Sequence, residues 1–388
     1  MPDQPDQPDR PDQERADAVI VAARRTPITT RSRAFARLGL EDLAAPVLRH
    51  VLGDAGSATG APLVVADVVL GNCRGPGGNP ARIAALAAGL GVSVPGATVD
   101  RQCGSGLAAV LEAVRAIQAG DDRPRLAGGV ESASTAPTRS VGGKSYARAP
   151  FTPAGWPDPD MPAAAQALAD ADGITRERQD AHAARSYRRA RAARDAGRFD
   201  HEIVPLQGVF ADDSIRWDER LLARLRPQFP DGTLTAGTST RISDGAAAVA
   251  VIPRRMRGRA PGLVVRGQAV VGCDPALPGI GAAPAVQAAL ASAGASVADV
   301  AAFEIVEAFA AQSLAVLARL GMEDDDPRVC ADGGALALGH PWGASGAVGL
   351  VRLFSRLVRA GAPAGTLGVA AASVGGGMGV AAVVEVVR

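Results

Sequence analysis

Apolar residues in this chain follow two alternating rhythms. AVIVAARRTPI (18–28), VVADVVLGN (64–72) and GLVVRGQAVVG (262–272) are short, nearly continuous or two-residue-periodic apolar runs, which predict buried strands, the first closed by Pro27. Between them, LEDLAAPVLRHVL (40–52), PARIAALAAGL (80–90) and PAVQAALASAG (284–294) repeat apolar positions every three or four residues and predict helices. Residues 300–321 read as a strand followed by a helix, and 235–252 as a polar turn, capped by Asp244, followed by an apolar strand. Strands alternating with helices predict an α/β fold with a largely parallel sheet covered on both faces. The uncharged run 367–384 is interrupted by Gly375, Gly376 and Gly377, so it predicts two buried strands around a turn rather than a membrane span.

Two junctions break this rhythm with glycine. In VDRQCGSGLAAV (99–110) a strand end runs through Cys103 into a helix. That placement predicts a thiol at a helix N-terminus, where unpaired N–H groups and the dipole favour thiolate and hold a developing oxyanion. In GGALALGHPWGASGAVGLV (333–351) the pattern predicts another strand, glycine-rich turn and helix, with His340 at the turn as the candidate base. The small-residue turns around Cys103 and Ser345 rhyme, which hints at a duplicated unit giving one reactive residue from each copy. Between the halves the composition shifts to arginine, aspartate and proline and includes a charged helix over 174–199, as expected of a segment covering the substrate. The division is therefore a disordered tail (1–17), a first core half (18–134 with 234–256), an inserted loop domain (135–233) and a second core half (257–388).

Charge narrows the partners. With 41 basic and 40 acidic residues the net charge is +1, which gives no electrostatic footprint for nucleic acid or an anionic membrane. Lys144 is the sole lysine, which removes most candidates for Schiff-base chemistry. Cys73, Cys103, Cys273 and Cys330 show neither paired nor metal-ligand spacing, so a reduced cytoplasmic protein without a metal site or disulfide framework is expected. Cys73, Cys273 and Cys330 read as core or loop residues, and His50, His182 and His201 as solvated surface groups. The Pro/Asp/Gln-rich first 17 residues lack the apolar stretch of a signal peptide.

Together the motifs resemble the thiolase family from about residue 18 to the end. They are RTP (25–27), NPAR (79–82), CGSG (103–106), GGVESAS (128–134), AGRFDHEIVP (196–205), TAG and SDGAAA between 235 and 248, EAFA (307–310), GGALALGHPWGASGA (333–347) and GGGMG (375–379). The resemblance implies a duplicated αβαβα core of five layers with an inserted loop domain, assembled as a homodimer or homotetramer. It implies that Cys103 accepts an acyl group from a coenzyme A thioester, that His340 activates the thiol, and that the N–H groups of Cys103 and Gly375 hold the oxyanion. Met161, Ala236, Thr240, Ala308 and Phe309 fall where the family lines its pantetheine tunnel. No permanently bound cofactor is implied.

Two positions depart from the family pattern. The cysteine that normally precedes the glycine run, and moves the proton in carbon–carbon bond making or breaking, is Ser373. The asparagine or histidine usual before Glu-Ala-Phe is Val306, which has no polar group to hold a water or thioester oxygen. Both losses fall on the carbon–carbon half of the cycle. Three readings follow: an acyltransferase that passes the acyl group to an unidentified acceptor needing no protein-generated carbanion; an ordinary 3-ketoacyl-CoA thiolase using Ser373 or water; and an inactive CoA-binding or structural subunit.

Overall fold

The computed structural model describes residues 17–146, 148–216 and 219–388. The predicted tail lies outside the described residues except for Asp17, which is buried and paired with Arg254 at 2.8 Å and Arg266 at 3.0 Å. The first half runs β1 (Ala18–Arg25), β2 (Thr29–Thr30), α1 (Leu40–Thr59), β3 (Asp67–Gly71), α2 (Pro80–Ala87), β4 (Gly96–Val99), α3 (Ser105–Gln118) and β5 (Arg125–Ser132). The inserted stretch holds a small hairpin, β6 (Arg139–Val141) with β7 (Lys144–Tyr146), then α4 (Met161–Ala171) and α5 (Arg176–Asp195). The chain returns through β8 (Ser243–Pro253), β9 (Gly262–Gly272), α6 (Ala282–Ala293), β10 (Val300–Ile305), α7 (Ala310–Arg319), α8 (Ala335–Leu338), α9 (Trp342–Leu353), β11 (Leu367–Val374) and β12 (Met378–Val387). α1 outruns its predicted end because Val51 and Ala55 continue the buried stripe past Gly53. The segment before His340 is the four-residue helix α8 rather than a strand.

Among the described residues ten strands form one sheet in the order β10-β11-β12-β9-β1-β8-β5-β3-β4, with β2 on β8. The expectation of a largely parallel sheet is corrected: β3/β4, β3/β5 and β10/β11 are parallel, but β1/β8, β1/β9, β5/β8, β9/β12 and β11/β12 are antiparallel. The cause is connectivity: a tight turn joins β11 to β12, and β8 re-enters only after the long insertion, so neither obeys the crossover rule that makes neighbours parallel.

Alternating side chains of the same strand feed different cores. On β8, Ala247, Val249 and Val251 face inward toward α3 and α9, whereas Ala246, Ala248 and Ile252 join α1 and α2 on the outer face. On β12, Val380 and Val384 face the same inner core, and Ala381 and Val383 pack with α6 on the opposite outer face. Five layers result: outer helices, sheet half, central helices α3 and α9, sheet half, outer helices. Leu107, Leu111 and Leu350 are fully buried in the central layer, each contributing about 1.5–3 kcal/mol of apolar burial. Where α3 and α9 cross, a Cβ on Gly106 would lie 2.7 Å from the Gly343 carbonyl, and one on Gly346 2.7 Å from Leu107 Cβ. Glycine is what lets the two backbones approach this closely. The insertion is fastened by a buried ion cluster in which Arg25 binds Glu202 at 2.8 Å and Asp212 at 2.6 Å, while Arg352 bonds Glu202 and Asp332.

Candidate functional site

Cys103 stands one residue before the N-cap of α3, at the end of a turn that its neighbours fix several times over. Gln102 adopts φ 44°, a left-handed conformation rare outside glycine. Its N–H donates to Asp100 Oδ1, and its carbonyl accepts from Ser105 Oγ at 2.6 Å and from Cys73 Sγ at 2.9 Å. Ser105 Oγ in turn accepts the Arg101 N–H at 2.8 Å. Cys73 is therefore a prop of this turn, a role that no spacing in the sequence reveals. Behind it, the buried Glu131 carboxylate on β5 accepts N–H groups from Cys73, Arg74 and Gly343 and so ties the segment after β3 to the start of α9.

His340 reaches the same point from the other half. Its backbone N–H donates to the Arg241 carbonyl at 2.8 Å, beside β8, and the ring is buried. Nε2 lies 3.3 Å from Cys103 Sγ, and Nδ1 lies 2.6 Å from Ser345 Oγ on the first turn of α9. With the ring proton on Nδ1, Ser345 Oγ accepts from it and Nε2 is left to accept the thiol proton. Ser345 escaped the sequence reading as a site residue; its place five residues after His340 at a helix start was the available signal.

The expected thiolate is corrected. Burial, reinforced by Glu131 and Asp100, pushes the Cys103 thiol up to about 12, and the N–H groups of Cys103 and Gly375, which point at Sγ, only partly oppose this. Burial lowers His340 to about 4. Both shifts favour a neutral thiol beside a neutral imidazole in the resting pair.

The pair opens onto a cavity of about 710 Å3 with mostly apolar walls. Met161, Ala236, Thr240, Ala308, Phe309, Ser373 and Gly375 all line it, as does Trp342, which the sequence reading missed. α4, from the insertion, supplies one wall. Val306 is not among the lining residues; it borders a separate cavity of about 30 Å3 behind Ser345 and Gly339. Its backbone continues β10 by donating to the Ala371 carbonyl at 2.9 Å. Ser373 lies in the wall, but its hydroxyl donates to the Gly279 carbonyl at 2.6 Å and accepts the Ala282 N–H at 3.0 Å. Its only proton is committed to the loop that starts α6.

His182 is the other correction. It is buried rather than solvated, with Nε2 3.1 Å from Glu307 Oε1, and Ser186 Oγ donates to Glu307 Oε2 at 2.7 Å. Burial alone raises the Glu307 carboxyl, but His182, Ser186 and the Leu336 N–H outweigh it and leave the group below its ordinary value. This contact anchors the segment carrying Ala308 and Phe309 to α5. His50 and His201 are exposed as expected. Among the described residues no cluster of three potential metal ligands occurs, and no helix is long and apolar enough to cross a membrane.

Comparison with known proteins gives a consistent picture. Residues 18–255 match the family model of the thiolase N-terminal domain and residues 260–386 that of the thiolase C-terminal domain. An acetyl-CoA acetyltransferase of Chromobacterium violaceum is 40% identical, over 95% of this chain and 99% of its own length. A 3-ketoacyl-CoA thiolase of Erwinia tasmaniensis is 42% identical over 95% and 98%. The crystal structure of the Bacillus anthracis acetyl-CoA acetyltransferase superposes with a TM-score of 0.86 at 35% identity, covering 96% of this chain and 99% of that one.

Proposed function

The chain belongs to the thiolase family of acyltransferases, and we propose that it works by capturing an acyl group from a coenzyme A thioester on Cys103. The observation that carries this reading is the 3.3 Å approach of His340 Nε2 to Cys103 Sγ at the base of a large apolar cavity. As Sγ attacks the thioester carbonyl, His340 Nε2 takes the thiol proton, so neither charge has to exist alone in the buried site. The Cys103 and Gly375 N–H groups stabilise the oxyanion. Collapse breaks the bond from carbon to the CoA sulfur, and the imidazolium returns its proton to that sulfur, giving free CoA and acyl-Cys103. Ser345 is the positioning partner that fixes the imidazole, and Met161, Ala236, Thr240, Ala308 and Phe309 hold the pantetheine arm. No permanently bound cofactor takes part.

The acceptor in the second half is one that needs no carbanion made by a protein thiol: an amine, a hydroxyl, water or a decarboxylating malonyl-type donor. The engagement of Ser373 with Gly279 supports this, because a hydroxyl so held is a poor base. The names of the relatives favour a second reading, ordinary acetyl-CoA acetyltransferase or 3-ketoacyl-CoA thiolase chemistry with Ser373 or water in the missing role. A third, an inactive CoA-binding or structural subunit, is disfavoured by the intact Cys103–His340 pair. A cytoplasmic homodimer or homotetramer is the assembly we expect, checked by light scattering. The deciding experiment is intact-protein mass spectrometry after mixing with acyl-CoAs. An adduct mapped to Cys103 and absent from Cys103→Ala is expected; no adduct with any thioester refutes the reading. Robust CoA-dependent cleavage of acetoacetyl-CoA or a longer ketoacyl-CoA, lost in Ser373→Ala, establishes the second reading instead.

A further inference from the structure

Cys103 faces two spaces. Besides the large apolar cavity, it borders a smaller chamber of about 170 Å3 that Phe151 and Trp342 both line. Aromatic residues make up only 3% of the chain, so two of them beside the nucleophile are more than composition supplies. Each ring is held in place. Phe151 lies on the turn that gives the oxyanion donor: a Cβ on Gly375 would come within 2.7 Å of its Cε2 atom, and one on Gly376 within 3.2 Å of its Cβ. Its N–H donates to Asp158 Oδ2 at 3.3 Å, and the Arg148 guanidinium, itself paired with Asp158 at 2.7 Å, lies over the ring at 4.6 Å. Trp342 opens α9 two residues after His340, and the Arg74 guanidinium lies over its ring at 5.4 Å. A guanidinium stacked on a ring holds the plane of that ring. Arg139 and Asp100, the other charged residues of the chamber, are of opposite sign, so ring surface rather than charge sets what the chamber prefers.

An interior cavity of about 150 Å3 takes one benzene molecule, so the chamber is the size of a single ring. A flat ring packs edge or face against aromatic neighbours with a gain beyond the area it buries, whereas a puckered saturated ring of the same carbon number gains the area alone. Resting on the acyl-capture reading above, we infer that this chamber selects acyl groups ending in an aromatic ring, seated against Phe151 and Trp342. The substrate class is therefore the CoA thioester of a short arylalkanoic acid. A link of one or two methylenes lets the carbonyl stay at Sγ and the Gly375 N–H while the ring lies in the chamber. The pantetheine arm occupies the larger cavity, and the acyl group points away from it.

The test compares rates of acyl-Cys103 formation, read by intact-protein mass spectrometry, for phenylacetyl-CoA against cyclohexylacetyl-CoA and 3-phenylpropanoyl-CoA against 3-cyclohexylpropanoyl-CoA, with acetyl-CoA alongside. Each pair shares its carbon skeleton, and dividing by the same ratio measured with free cysteine in solution removes the intrinsic reactivity of the thioesters. The wild-type protein is expected to favour the aromatic member by on the order of 3- to 30-fold. That ratio should collapse toward one in the Phe151→Leu/Trp342→Leu double variant and be partly kept in Trp342→Phe. Because the ratio is taken within one protein preparation, partial loss of folded protein does not alter it, and should a variant fail to fold, the wild-type ratio still decides. A wild-type ratio near one, or a ratio that survives in the double variant, overturns the inference and leaves acyl capture standing. If the rings instead stack on the adenine of CoA, both members of each pair weaken equally in the double variant, the ratio stays unchanged, and the inference fails. Absence of an adduct with all five thioesters overturns acyl capture itself.

Discussion

Replacing Ser373 tests the division between the two halves of the reaction. In Ser373→Ala the Gly279 carbonyl and the Ala282 N–H lose the hydroxyl that bridges them at 2.6 and 3.0 Å. The stability loss is about 1–3 kcal/mol, the usual consequence of leaving buried polar groups unpaired. Acyl capture involves Cys103, His340 and two backbone amides but not this hydroxyl, so the rate of acyl-Cys103 formation should change by less than about 10-fold, whereas loss of a general base costs about 100- to 10,000-fold. Ser373→Cys should do the opposite for carbon–carbon chemistry. A thiol ionises near ~8.5, far below an alkyl hydroxyl, so the base forms much more readily on sulfur. Sulfur is also too large for the 2.6 Å gap to Gly279, so it is displaced toward the cavity. CoA-dependent cleavage of a 3-ketoacyl-CoA, followed by loss of the enolate absorbance, should rise at least about 10-fold in this variant. A drop in acyl capture of more than about 100-fold in Ser373→Ala, or unchanged cleavage in Ser373→Cys, refutes the reasoning.

Three further outcomes follow from the geometry. His340 titrates near 4 when folded and near its ordinary 6.5 when unfolded, so the unfolded chain binds the proton first as pH falls. Stability is therefore full above pH 6.5 and declines toward pH 4 by ~3 kcal/mol from this residue; urea midpoints across that range should fall less steeply in His340→Asn. His182→Ala removes a partner of buried Glu307 and should cost about 1–3 kcal/mol, with a raised KM for acyl-CoA because Ala308 and Phe309 follow directly; an unchanged KM contradicts the anchoring role. Gly106→Ala forces a methyl to within 2.7 Å of the Gly343 carbonyl, and acyl capture should slow on the order of 10- to 100-fold in protein that still unfolds cooperatively by circular dichroism.

The sequence was informative where local chemistry decided the structure. Glycines around Cys103 and His340 marked tight junctions because few other residues fit such turns, and most strands and helices followed their apolar period. Pairing direction was not legible, since it depends on which strands a long insertion separates. His182 was hidden because the buried face of α5, with Gln179, His182, Ala183, Ser186 and Tyr187, is polar and small, and arginines dominate the remaining faces. The upward shift of the Cys103 thiol was also missed: a helix start is visible in sequence, but the burial that raises the thiol comes from distant segments.

The close crossing of α3 and α9 gives the central layer a second meaning. Each reactive residue sits just before one of these helices, so the interval between sulfur and imidazole is a readout of how tightly the helices mesh at Gly106 and Gly346. The middle of the molecule thus acts as a caliper. Substitutions there that the fold tolerates still widen the jaws, and a chain can remain soluble and ordered while its two reactive atoms no longer meet.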